Sequence, residues 1–70
     1  MSAAVDYSKK PSVTTLRRDL VRAINAGHRL IELTWGENQI VVERGPYGLI
    51  GQGWIGRHGG QDLVAELRMH

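Results

Sequence analysis

Apolar and polar residues alternate along HRLIELTWGENQIVVER, residues 28–44, more regularly than anywhere else in the chain. Ile31, Leu33 and Trp35 recur at every second position, and Ile40 and Val42 do so after a polar break. A period of two marks a pair of strands that bury one face. Opposing Trp35 to Ile40 and Leu33 to Val42 puts all five on one side, with Gly36, Glu37, Asn38 and Gln39 as the connection. A three-residue loop would scatter the apolar set, and register follows the face that must be buried. This register sets Glu32 against Glu43 on the other face, a like-charge pair that Arg29, Arg44 or a partner's cation has to offset.

Upstream the period changes. Val13, Leu16, Leu20, Val21 and Ile24 follow the spacing of one helical face, which predicts an amphipathic helix over residues 13–26. Ser12 stands where an N-cap belongs and Gly27 where a helix ends, with Pro11 marking the boundary before it. Residues 1–12, MSAAVDYSKKPS, show no clear period and contain Lys9 and Lys10, so they read as a flexible basic arm ahead of a single domain over residues 13–70.

Downstream, Gly45-Pro46-Tyr47-Gly48 has Pro at the second and Gly at the fourth position of a turn. Leu49–Gly56 follows as a third strand, with Ile50, Gln52 and Trp54 on one side and Leu49 and Ile55 on the other. Its glycines weaken a strand and permit close approach of another backbone. Arg57-His58-Gly59-Gly60 reads as a second turn. Residues 61–70 fit either a helix with Leu63, Val64 and Leu67 on one face or an alternating fourth strand, and the helix formers Ala, Glu, Leu, Arg and Met favour the helix.

These elements amount to an α+β fold: an N-terminal amphipathic helix packed on a small three-stranded antiparallel sheet, closed by a short C-terminal helix or, as the alternative, a fourth strand. The order helix, three strands, helix resembles that of the double-stranded RNA-binding domain. The likeness is one of order, since the lysine-rich start of that family's second helix has no counterpart in Gly59-Gly60-Gln61-Asp62.

Composition adds three constraints. Seventy residues bury a limited core, and with no Cys there is no disulfide to staple it, so homo-oligomerisation is expected. There is no Phe, which makes Trp35 and Trp54 the largest candidates for the core. No apolar run approaches the roughly 20 residues that cross a bilayer, and the first residues lack the apolar segment of a secretory signal, so a cytoplasmic location away from membranes is expected.

Charge points to partners. Six Lys/Arg and two Asp give residues 1–30 a charge of +4, whereas three Arg and five acids give residues 31–70 a charge of −2. A basic half suits an anionic partner. Lys9, Lys10, Arg18, Arg22, Arg29, Arg57 and His58 are therefore the candidate contacts to a nucleic-acid backbone. Tyr47 and Trp54 are the candidate contacts of the alternative, a small regulator or inhibitor that masks a protein surface.

Catalytic chemistry has little to stand on. Gly51-Gln52-Gly53-Trp54-Ile55-Gly56 spells G-x-G-x-x-G, but the glycines lie inside a strand and no long helix follows to face a phosphate. His28, His58 and His70 have no ligand spacing, so no metal or other cofactor is expected. His58 is the best-placed general base, yet no nucleophile or orienting group can be named beside it, and the expectation is a module that is not an enzyme.

Overall fold

A computed structural model of the chain describes residues 1–68; Met69 and His70, the end of the expected C-terminal segment, lie outside the described residues. The elements run β1 (Ser2–Tyr7), α1 (Val13–Asn25), β2 (Leu30–Trp35), β3 (Asn38–Gly45), β4 (Gly48–Ile55), β5 (His58–Gly59) and α2 (Gly60–Arg68). The strands form one five-stranded sheet in the order β1-β2-β3-β4-β5. β1 lies parallel to β2, with α1 as the crossover, and the remaining neighbours are antiparallel.

The mixed five-stranded sheet overturns the expected three-stranded antiparallel one, and the leading strand removes the likeness in element order to the double-stranded RNA-binding domain. Residues 2–7, expected within a flexible arm, are β1, paired with β2 from Ser2 opposite Leu30 to Tyr7 opposite Trp35. Val5 and Tyr7 are strand formers at alternate positions, but Ser2, Ala3 and Ala4 carry little strand signal of their own. The pairing arises because Ala3, Val5 and Tyr7 turn to the covered side of the sheet and pack against the core, a tertiary contribution that outweighs local propensity.

α1 begins and ends where its sequence indicates. Ser12 Oγ accepts from the Thr15 N–H at 3.1 Å, the N-cap bond. At the other end Gly27, at φ 90°, turns the chain so that its N–H meets the Ile24 carbonyl and the His28 N–H meets the Ala23 carbonyl. That pair of bonds is the Schellman closure.

The β2–β3 hairpin keeps the expected buried face but not the expected register. Leu33 opposes Ile40, Ile31 opposes Val42, and Trp35 opposes Asn38. Only Gly36 and Glu37 remain in the turn, with Gly36 at φ 59° and Glu37 on the ordinary side of φ, the pattern of a II′ turn whose twist matches that of paired strands. A shift of two residues preserves the faces, so Ile31, Leu33, Ile40 and Val42 are all buried. It also separates the two acids, with Glu32 opposite Val41 and Glu43 opposite Leu30.

Pro46 and Tyr47 form the tip between β3 and β4 as expected. The next turn is Gly56-Arg57 and not Arg57–Gly60, because His58 and Gly59 pair with Ile55 and Trp54 as β5, and Gly60 already opens α2. The last segment is thus the helix of the two alternatives. Both helices share one core on one side of the sheet, where Leu16, Leu20 and Ala23 of α1 and Leu63 and Val64 of α2 cover Ile31, Leu33, Ile40, Val42 and Ile55.

Two glycines let α2 sit that close. A Cβ on Gly51 would lie 2.1 Å from the Gly60 carbonyl oxygen, and one on Gly60 would lie 2.6 Å from that of Gln52. The glycines of the G-x-G-x-x-G stretch thus include one that seats a helix backbone against a strand, a packing role.

Candidate interaction surfaces

With both helices on one side, the other face of the sheet is open. Strand alternation places on it Ser2, Ala4 and Asp6 of β1, Leu30, Glu32 and Thr34 of β2, Gln39, Val41 and Glu43 of β3, and Ile50, Gln52 and Trp54 of β4. Rows run across it: Leu30, Glu43 and Ile50 stand side by side, as do Glu32, Val41 and Gln52, and Thr34, Gln39 and Trp54. Trp54 is 58% exposed and Ile50 49%, and Tyr47 at the β3–β4 tip is 99% exposed. Trp54 is therefore not a piece of the core. Its ring lies over Gly59 of β5, with ring carbons within about 3 Å of where a Gly59 Cβ would stand.

The open face is acidic. Asp6, Glu32 and Glu43 occupy outward strand positions, and among the described residues no Lys or Arg does. Arg44 follows the inward parity of Val42 and donates to the Ile24 carbonyl at 3.0 Å. Exposed Trp and Ile between carboxylates make a surface that attracts apolar groups and cations and repels phosphate.

The seven residues expected against nucleic acid fall into separate places. Lys9 and Lys10 lie between β1 and α1, and the end of the Lys10 side chain reaches Gly56, so Lys10 borders the turn that carries Arg57. His58 is half-buried in β5 and not on a free loop. Arg29 follows α1, its N–H held by the Met1 carbonyl and its carbonyl by the Arg44 N–H. Those two groups flank opposite ends of α1, a helix of 13 residues that spans about 20 Å. Along its exposed flank, Arg18 is paired with Asp19 at 3.3 Å, and Arg22 is exposed one turn further on. Arg17, beside the apolar arc, pairs with Glu66 of α2.

A groove of about 360 Å³ runs between β1 and α1, lined by Ala3, Val5, Ala23 and Ala26 with Asp19, Arg22 and His28 at its polar parts. Above it the Tyr7 hydroxyl donates to Asp19 Oδ2 at 2.7 Å. Burial first, and then the hydrogen bond and charge of Asp19, push the Tyr7 phenol well above its ordinary value of 10.0, with Arg18 opposing. His28 Nδ1 is buried with no hydrogen-bond partner. Among the described residues no three His, Asp or Glu side chains are grouped as a metal site would need, and no helix is long and apolar enough to cross a membrane.

Sequence reasoning missed Ile50, Val41 and Leu30 as surface residues and the β1–α1 groove altogether. The signal for the first was present, since Ile50 and Trp54 share the parity of Gln52 in β4. Nothing local marked the groove, which depends on β1 pairing. Compared with protein-family models, with curated proteins and with solved structures, the chain has no match in any of the three.

Proposed function

We propose that this chain is a non-enzymatic binding module that docks a protein partner on the open face of its sheet. Trp54 and Ile50 are the apolar anchors, Tyr47 extends them at the tip, and Asp6, Glu32 and Glu43 form an acidic surround. The partner surface is apolar at its centre and carries Lys or Arg at its margin. The observation that supports this reading is the uncovered, cation-free face on which Trp54 is 58% exposed. Exposed Trp and Tyr are the side chains that most often dominate binding energy. Affinity capture with the wild type, Trp54→Ala and Glu32→Lys/Glu43→Lys tests it: a stoichiometric partner retained by the wild type and lost by both variants supports the reading. Retention by both, with melting unchanged, ends it.

A second reading is contact with a nucleic-acid backbone through Lys9, Lys10, Arg18, Arg22, Arg29, Arg57 and His58. It is favoured by the segregation of cations to the helix side and the loops, away from the acidic face. Contact with about four phosphates would make log K fall with log salt at a slope near −3.6 for duplex DNA. Fluorescence anisotropy with random duplex and single strands at low salt decides it, and no binding there removes it.

A further inference from the structure

We infer that β1 is a self-association edge, pairing antiparallel with β1 of a second copy so that two five-stranded sheets become one. This goes beyond the open-face reading and uses a different part of the surface. β1 is the terminal strand of the sheet, six residues long, and among the described residues its strand partner is β2 alone. Ser2–Tyr7 holds no Lys, Arg or Pro, the residues that usually block such an edge. The opposite edge differs, since β5 is two residues long and runs directly into α2.

The register follows from which groups are left unpaired. The Arg29 carbonyl turns to the Arg44 N–H of β3, and the Leu30 N–H reaches the Met1 carbonyl, which it shares with the Arg29 N–H. The even-numbered residues of β2 therefore face β1, and by alternation along a parallel ladder the odd-numbered residues of β1 bond to β2. The N–H and C=O groups of Ser2, Ala4 and Asp6 then point outward. A two-fold axis at Ala4 sets Ala4 against its own copy and Ser2 against Asp6 of the second copy, satisfying those groups with roughly six main-chain hydrogen bonds. It puts a hydroxyl opposite a carboxylate, whereas centring on Asp6 would oppose two carboxylates.

Side chains fit the same axis. Ala3 and Val5 stay on the covered side in both copies, and Val5 of the second copy stands beside Ala3, over the apolar floor of the groove. The two α1 helices run antiparallel, so the Asp19-to-Arg22 order on one groove wall meets the reverse order on the other. That arrangement is self-complementary in charge, as a two-fold interface requires.

Sedimentation equilibrium of the full chain tests the inference with Ala4→Lys, which places two cations across the axis, and Ala4→Pro, which removes only an outward N–H. The wild type is expected to be a dimer, and both variants to raise the dissociation constant roughly tenfold or more. If Ala4→Pro fails to fold, Ala4→Lys decides the matter. In the wild-type dimer the Ala4 and Asp6 amides should also exchange more slowly as protein concentration rises. A monomeric wild type, or a dimer that survives Ala4→Lys and dissociates on Ile50→Asp, overturns the inference; the latter outcome would place the contact on the open face.

Discussion

The Tyr7 hydroxyl donates to Asp19 Oδ2 at 2.7 Å, tying the edge strand β1 to the middle of α1. The bond favours the protonated phenol, so the folded chain holds this proton to higher pH than the unfolded chain does. Stability from it is fully present below the unfolded value of 10.0 and is lost as pH rises beyond it. Tyr7→Phe should cost about 1 kcal/mol at neutral pH, the usual net value of one hydrogen bond. It should also flatten the fall in stability on the alkaline side. Urea denaturation of both proteins between neutral and alkaline pH checks this, and parallel curves would show that the phenol's environment does not distinguish folded from unfolded chain.

Gly51 faces the backbone of Gly60, where an added Cβ would stand 2.1 Å from the carbonyl oxygen and 2.8 Å from Val64 Cγ2. Neither backbone can give way without lifting α2 from the sheet. Gly51→Ala should therefore destabilise by about 3 kcal/mol or more, at the upper end for overpacking, enough to leave so small a domain largely unfolded. Gly27→Ala supplies the contrast. No atom lies within 4 Å of the added carbon, so only the strain of φ 90° counts, about 1–2 kcal/mol. Thermal melts of the two variants should rank in that order, and equal losses would argue against the close seating of α2.

Hydrophobic alternation made the buried face of the β2–β3 hairpin legible but left its register open by two residues, because a period of two is unchanged by a shift of two. The turn decides between them. Gly36 at φ 59° supplies a two-residue connection that also lets Trp35 pair with Asn38. Trp54 misled in a different way: size suggested the core, while it shares the outward parity of Gln52, and the inward position at Gly51 has room only for the backbone of α2. β1 was only faintly marked, by Val5 and Tyr7 at alternate positions, because Ser2, Ala3 and Ala4 carry little preference and the partner strand lies beyond α1. The candidate docking face was half readable, with Tyr47 and Trp54 visible as residues and the open surface that unites them with Ile50 and Val41 visible only once both helices were seen on one side.

Leu33 is fully buried opposite Ile40 and Ile31 is 1% exposed opposite Val42. Leu33→Asp puts an unpaired carboxylate at the centre of that face, where burial of a charge costs several kcal/mol. Loss of the cooperative melt and of β-sheet circular dichroism is expected. Thr34→Asp, one residue on and facing outward beside Asp6, should cost far less, about 1 kcal/mol. A reversal of that order would put the hairpin on the wrong face.

Arg17 of α1 and Glu66 of α2 form an ion pair between the two helices, with both side chains more than a third exposed. Solvent at that exposure screens the attraction and leaves both desolvation and gain small. A double-mutant cycle of Arg17→Ala and Glu66→Ala should return a coupling of about 0.2–1 kcal/mol, shrinking further in high salt as the Debye length shortens. The helices are held instead by Leu16, Leu20, Leu63 and Val64, which share one buried cluster. Leu63→Ala should consequently cost about 2–5 kcal/mol, several times the coupling of the ion pair. A coupling that matches the Leu63→Ala loss would mean that the pair, and not the shared core, holds α2 against α1.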